Sequence, residues 1–590
     1  MELLVIAVLA LLAIAGAAAI SPRLGVASPL LLVVVGIGVS LLPEVPPFEV
    51  DPEWIIAGVL PPLLYSAAVS TPTMEFRRDF TAISGLSIVL VVITSVLLGL
   101  LFTWLIPDLG LALGIALGAI LSPTDAVATS IVKRLGVSPR VSAMLDGESL
   151  LNDASALVLL RAAIAGAAAS VSLWGVVGTF VYSVAVAGVI GAIVGWLNLR
   201  IRARVSNPTV NTVISFTMPF IASIPAEALG ASGLVAAVVA GLITGRGAAR
   251  FLSPQHRLSD VQTWRTVELV LEGAVFLVMG LELSGIVDEV EQAHEGVWAA
   301  IRIAAIAFVA AILIRAAYVA PLLAALGRRA RRGGEFKQML VDRAGPTPTG
   351  RPARSPAQSE RFRAMMRRRV ADIDYYLDEA LGWREGTIVV WAGMRGVVTL
   401  AAAQTLPADT PSRAMLVLIA FVVAVGSLLV QGGTLPWLVR WLLPVRDPGD
   451  TVAERRELKQ VMRAAAFDEL DTDDALDPRL RATAARMRAA WLTSADEGAQ
   501  ESSDDDSGEG PAPAADGRTD TDVPEPGHGT SDHLIDADQV RLLRLRMIRA
   551  ERDALLDARD EGLFGAAALG AALEELDAEQ ISIELKAPGE

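Results

Sequence analysis

The chain has 590 residues, 53% of them hydrophobic and only 19% charged, with a mean hydropathy of +0.50. A soluble chain of this size would carry about 25% charged residues, so an ordinary water-soluble enzyme is excluded, and the absence of cysteine excludes disulfides, cysteine zinc sites and thiol catalysis. The net charge of −15 owes much to an acidic C-terminal stretch and is not read as a steering field.

Apolar runs of about 18 residues or more, long enough to cross a bilayer as helix, recur along most of the chain. The first, with "LLAIAGAAAIS", ends in small residues as a signal peptide does. It starts with Met1 and Glu2 and has no Lys or Arg ahead of the apolar run, so it is expected to be a span. Thirteen spans are expected, at roughly 3–20, 28–42, 52–70, 81–106, 109–132, 141–168, 172–199, 208–224, 229–245, 266–286, 298–326, 386–406 and 412–443. Between the eighth and ninth, "SIPAEALGASG" fits either a loop or a kink. His256, His294, His528 and His533 all fall outside these spans, which argues against histidine-ligated metal chemistry in the membrane.

The loops alternate in charge. One set carries Arg23; Arg77 and Arg78; Lys133, Arg134 and Arg140; Arg200, Arg202 and Arg204; Arg246, Arg250, Arg257 and Arg265; then "GRRARRGG" from 327. In the other set only Arg413 is basic. The positive-inside rule then puts the N-terminus outside and the C-terminus in the cytoplasm.

Two spans are expected to break. In the fifth, Ser122-Pro123-Thr124 removes a helix donor and pushes the residue before proline out of α geometry. In the twelfth, Gly393 and Gly396 flank Arg395. If spans 1–6 and 8–13 are repeats joined by span 7, the fifth member of each is the broken one, a pattern that points to a transporter binding site.

Residues 1–443 are thus the expected transmembrane domain, with a cytoplasmic insertion at 327–385. That insertion starts basic, as a segment lying beside anionic lipid would, and "AMMRRRVADIDYYLDEALG" within it looks amphipathic and helical. Residues 444–493 read as a cytoplasmic helical segment, 494–533 as an acidic Gly/Pro-rich linker with nothing to bury, and 534–590 as a second charged helical segment.

Asp125, Glu148, Asp153, Arg161, Glu268, Glu272, Glu282, Arg302, Arg315 and Arg395 fall within the spans. Each ionised group costs about 2.5–3.5 kcal/mol at the bilayer centre, so such residues pair, face the interior or serve transport. Ser149 and Asp153 lie four apart on one face of the sixth span, with Glu148 and Asn152 on the adjacent face. With Thr124, Asp125 and freed carbonyls of the broken fifth span, they offer an all-oxygen shell suited to a hard monovalent cation. Glu148 is expected to be salt-bridged to Arg395 or Arg315 and to be mainly architectural. Arg161 is expected to snorkel and Glu268 to lie near the interface; Glu272 and Glu282 stay open.

"SPTDAVA", "GESLLND" and "WAGMRGVVTLAAA" together resemble the monovalent cation/proton antiporters, in their electroneutral NhaP- and NHE-like branch, over about residues 1–443. The resemblance implies an all-α fold of thirteen helices in two inverted six-helix repeats broken at helices 5 and 12, a homodimer, and elevator-like alternating access. It implies that Asp153 takes either Na+ or H+, with Asn152, Asp125, Thr124 and Ser149 as accessory cation-binding positions. It assigns Glu148, Arg315 and Arg395 to a buried polar network. Relatives often carry an acid just after "LPPLL" in the third span; here Tyr65 and Ser66 stand there, which suggests fewer carboxylates around the ion.

Competition of cation and proton for Asp153, with Asn152 unable to titrate, leads to the expectation of one-for-one, electroneutral exchange. Na+ is the expected cation, with Li+ or K+ open, across the plasma membrane of what the Ala/Arg/Gly/Val bias suggests is a bacterium. No cofactor and no nucleic-acid partner are expected. A K+/H+ antiporter or a proton-coupled carrier of another solute is the alternative. A channel is disfavoured because no "TVGYG" filter is present. An intramembrane enzyme is disfavoured because there is no "HExxH" and no intramembrane histidine.

Overall fold

The computed structural model of the chain describes residues 2–43, 50–168, 173–343, 365, 368–377, 379–443, 448–472, 481, 485, 488 and 537–586. Helix is the only regular structure among them. They form two units, 1–447 and 448–590.

In the first unit the helices are α1 (Glu2–Leu24), α2 (Ser28–Ser40), α3 (Trp54–Ser70), α4 (Phe80–Leu105), α5a (Gly110–Ile120), α5b (Val127–Arg134), α6 (Pro139–Ala168) and α7 (Leu173–Arg202). There follow α8 (Pro208–Ala228), α9 (Gly233–Phe251), α10 (Pro254–Leu281), α11 (Val297–Arg343), α12a (Trp383–Trp391), α12b (Val397–Gln404) and α13 (Arg413–Leu442). Among the described residues nine helices are long and apolar enough to cross a membrane, and three shorter apolar ones (α2, α3 and 107–120) accompany them. The twelfth expected segment is the helix pair α12a and α12b.

Local chemistry sets the boundaries. Gly230, at φ 71°, takes the left-handed backbone that closes α8, so the ambiguous stretch is a turn and not a kink. Asn207 caps α8 by accepting from the Thr209 and Val210 amides, and Ser253 caps α10, with Pro254 opening it. That cap starts α10 well before the expected 266. His256, expected outside the spans, therefore sits in the first turn of α10. It is buried, with its ring 3.3 Å from the Asn211 amide nitrogen.

Outward faces of α1, α4 and α7 expose Leu9, Leu12, Leu100, Val189 and Ile193, a surface suited to lipid and not to water. Trp54, Trp104, Trp174 and Trp298, each more than 70% exposed, lie at helix ends beside the acidic loops, whereas Trp383 and Trp441 mark the basic end. Two tryptophan belts are what a bilayer's two interfaces select.

The helical part of the insertion, 368–377, docks on the basic side of the bundle. Arg78 Nε lies 2.6 Å from Asp372, the Tyr376 hydroxyl donates to the Arg78 carbonyl at 2.6 Å, and the Tyr375 hydroxyl donates to Asp79 at 3.1 Å. Arg140 pairs with Asp79 at 3.0 Å, donates to the Glu379 carbonyl and stacks over Tyr376 at 4.8 Å. Burial pushes the Asp79 carboxyl above its ordinary range, while Arg140 and Tyr375 pull it back. So the acidic and aromatic part of the insertion meets protein; its basic opening continues α11 to Arg343, and the Pro/Ser stretch at 344–364, like the expected linker 494–533, lies outside the described residues.

In the second unit, α14 (Pro448–Thr472), α15 (Ala537–Glu561) and α16 (Ala566–Leu585) pack together. Phe467, Leu470, Leu543 and Met547 form a core, and Arg544 holds Glu579 at 2.6 Å. The two tail segments expected as separate helical pieces thus share one core.

Candidate functional site

The two broken helices meet at their breaks. The Asp125 amide donates to the Met394 carbonyl at 2.8 Å. In return, Arg395 donates from Nε to the Leu121 carbonyl at 2.9 Å and from Nη1 to the Gly393 carbonyl. Breaking a helix leaves carbonyls orphaned at one end and amides at the other, with a negative and a positive partial charge. Each end is answered by a side chain of opposite sign. Arg395 covers the C-terminal end of α5a, and Arg315 from α11 covers that of α12a by donating twice to the Val389 carbonyl, at 3.0 and 2.9 Å. Asp125 answers the N-terminal ends: its carboxylate accepts from the Val127 amide at 2.8 Å at the start of α5b and reaches Val397 at the start of α12b. Gly396 makes this approach possible, because a β-carbon there would fall on the Asp125 carboxylate.

Glu148 of α6 receives both terminal nitrogens of Arg315, Nη2 at 2.8 Å on Oε2 and Nη1 on Oε1. The Thr124 hydroxyl donates to Glu148 Oε1 at 3.2 Å, and the Asn152 amide donates to the Thr124 hydroxyl at 2.6 Å. Asn152, Thr124, Glu148 and Arg315 thus form one buried relay between α6, the α5 break and α11. Of the two arginines expected on Glu148, only Arg315 bonds it; the Arg395 guanidinium bonds main-chain carbonyls instead, because the break needs a cation there.

Asp153 stands apart. It is 7% exposed, and among the described residues its carboxylate has neither hydrogen bond nor ion pair. It lines a cavity of about 290 Å³ together with Thr124, Asp125 and Ser149. Four of the five expected cation-binding residues therefore converge on one space. Asn152 does not line it; its Nδ2 is spent on Thr124, and its Oδ1 is buried without a partner. Ser149 turns its hydroxyl hydrogen to the Asp146 carbonyl at 3.0 Å, which leaves the oxygen lone pairs available.

The cavity mouth lies at Ser70 and Lys133, both exposed, on the side of the basic loops. Lys133 is engaged with Asp146 at 2.7 Å. Glu268 and Glu272 also line the cavity, though the spans alone left the first at an interface and the second open. Their four-residue spacing on one helix face was the available signal. At the opposite end Glu282 accepts from the Val50 amide at 3.3 Å and from Gln404 at 3.0 Å, and these three residues line a separate cavity that Asp153 does not reach. Arg161 is exposed on α6. No three His, Asp or Glu side chains converge as a resident metal site would among the described residues.

The sequence profile described as "Sodium/hydrogen exchanger, transmembrane" matches residues 7–441. The chain is 40% identical over 250 residues to YjcE of Escherichia coli, named as an uncharacterized Na+/H+ exchanger, covering 41% of this chain and 45% of that protein. It is 30% identical over 460 residues to Mb2309 of Mycobacterium bovis, named likewise, covering 76% of each. In fold it is similar to the sodium proton antiporter MjNhaP1 of Methanocaldococcus jannaschii, with a TM-score of 0.54 at 17% identity, over 75% of this chain and 99% of that one.

Proposed function

The chain belongs to the sodium/hydrogen exchanger family, a family of membrane cation/proton antiporters, and on that premise we propose that it exchanges Na+ for H+ electroneutrally by competition at Asp153. One observation carries the assignment. Asp153 is the buried carboxylate at the crossing of two broken helices that is left without a protein partner and faces a cavity. A carboxylate buried for architecture would be neutralised, as Glu148 is by Arg315. One left free at that depth is suited to alternate between a proton and a cation.

The neighbouring groups divide the work. Thr124, Asp125 and Ser149 offer oxygen atoms around the same space. Asn152 carries no charge and contributes by fixing Thr124. An empty, charged Asp153 resists passage through the closed state, so only the loaded forms switch sides. One proton then moves per cation, and no net charge crosses.

The cavity opens at the end bearing the basic loops, and the Glu282–Gln404 contact ties the far end together. With the basic loops in the cytoplasm, this is an inward-facing arrangement with the N-terminus outside. Inverted repeats, thirteen crossings, a homodimer and a plasma-membrane location belong to the same proposal.

The test is Asp153→Asn in everted vesicles, followed through dissipation of a preset pH gradient on adding NaCl, LiCl or KCl. Loss of all cation-driven dissipation with normal membrane insertion is expected; dissipation at the wild-type rate overturns the assignment.

A further inference from the structure

One face of α11 stays exposed far past the last apolar residue on it. Ile306, Val309, Leu313, Ala317, Ala320 and Ala324 follow one another at three or four residues, and the next two steps are Arg328 and Arg331, also exposed. The helix is unbroken over this stretch. The face turned to lipid at Leu313 is therefore the face that carries these two arginines. Trp298, exposed at the start of α11, marks one interface of the bilayer. Arg328 follows it by 30 residues and Arg331 by 33. That is about 45–50 Å of helix, against about 40–45 Å for a bilayer with its head groups. The two guanidinium groups thus emerge at the opposite head-group layer, on the side of the basic loops.

The other face of the same stretch is covered by protein. Ala330 is buried. A β-carbon at Gly333 would stand 3.5 Å from Ile373 of the insertion, and one at Gly334 would stand 3.4 Å from Leu377. Lys337 pairs with Asp374, and Asp372 pairs with Arg78. These two acids of the insertion are thus spent on protein partners. Arg328, Arg329, Arg331 and Arg332 are all exposed, and none pairs with a carboxylate among the described residues; Arg328 Nε lies 3.1 Å from the Ala324 carbonyl of its own helix. The nearest acid along the helix is Glu335, one turn beyond Arg331 and farther from the membrane. Arg140 and Arg202, also of the basic side, are by contrast buried and paired with aspartates.

We infer that the Arg328 and Arg331 face of α11 is a binding surface for anionic phospholipid of the cytoplasmic leaflet. Four unpaired positive charges at the head-group layer attract anionic lipid, and a guanidinium fork matches two oxygens of a phosphodiester. The docked insertion fixes the rotation of this part of α11, so the arginines are held toward the lipid in advance and little ordering is left to binding. The inference needs the chain to span a membrane and does not depend on which ion it carries.

The chain has no cysteine, so Ala324→Cys places a single bimane one turn before Arg328 on the same face. The full-length labelled protein is reconstituted into phosphatidylcholine vesicles. A nitroxide quencher near the glycerol backbone is carried, at equal mole fraction, either by phosphatidylglycerol or by phosphatidylcholine. The phosphatidylglycerol quencher is expected to be at least about twofold more effective, and raising salt is expected to bring the ratio toward one. Adding Arg328→Gln and Arg331→Gln is expected to bring it to about one at low salt, whereas Arg328→Lys with Arg331→Lys, which keeps the charge, is expected to retain a preference. Gel filtration serves as the fold control. No quenching by either lipid overturns the placement of this face at the bilayer. Equal quenching by the two lipids in the otherwise unaltered protein, or a preference unchanged in the glutamine pair, overturns the binding surface. Should the glutamine pair fail to insert, a preference that ignores salt overturns it as well.

Discussion

Arg315 grips Glu148 through both carboxylate oxygens while donating to the Val389 carbonyl at the end of α12a. One guanidinium thus neutralises a buried acid of α6 and closes the broken end of another helix. Both partners are nearly inaccessible, with side-chain exposures of 3% and 2%.

Removing one partner of this pair leaves the other charged and buried. Glu148→Leu or Arg315→Met is expected to lower stability by about 3–5 kcal/mol. The double variant Glu148→Leu with Arg315→Met is expected to lose less than the sum of the two single changes, since no charge is stranded. Thermal unfolding of detergent-solubilised protein, followed by fluorescence gel filtration, measures this. Strictly additive losses would mean that the pair does not act as a unit.

Gly396→Ala is expected to cripple exchange without unfolding the protein. The added β-carbon collides with the Asp125 carboxylate between the starts of α5b and α12b, so the two half-helices must part. Displacements near 1 Å at a reacting centre cost up to about 100-fold in rate. The initial rate of pH-gradient dissipation reports it, and a rate within twofold of wild type contradicts the close approach.

One proton per cation predicts indifference to voltage. A potassium diffusion potential of either sign, imposed across proteoliposomes with valinomycin, is expected to leave the initial Na+-driven rate unchanged. Acceleration by one sign and slowing by the other would show that charge is moved.

The docked insertion gives a pH prediction. Because burial raises the Asp79 carboxyl in the folded protein, the folded form binds its proton more readily than the unfolded one. The stability it contributes is complete below the ordinary value of 3.8 and is lost as pH rises through the raised folded value. Protease resistance of the segment at 368–377, measured relative to Asp79→Asn, is therefore expected to fall as pH is raised from 3.8 upward. A constant ratio across that range would rule out Asp79 as the titrating group.

Much of this was legible before any coordinates. Pro123 and the pair Gly393 and Gly396 marked the breaks, since neither residue type sustains a helix interior without help. The spacing of Ser149 and Asp153 placed both on one face, and both line the cavity. The sequence leaves Arg315 and Arg395 as equal candidates for Glu148, because it records their charge but not the orphaned carbonyls of Leu121 and Gly393 that Arg395 serves. The partner of Glu268 is not legible, because nothing in the chain near it announces Ser66, two hundred residues earlier. The start of α10 was placed too late because the polar stretch from Pro254 onward lacks the apolar run that defines a span, although Ser253 and Pro254 form a good helix start.

By itself the sequence determined the membrane class, the approximate places of the apolar helices and of the two breaks, and the presence of acids within them, because length, hydropathy and backbone chemistry are local properties. Only the tertiary structure decided which of those acids is free. Glu148, Asp125 and Asp153 are the same kind of group in the chain. An arginine from α11 takes the first, two half-helix ends hold the second, and the third is left facing the cavity. Those partners come from helices far away in sequence, and their arrival in space is what leaves one aspartate among several without a protein partner at the cavity.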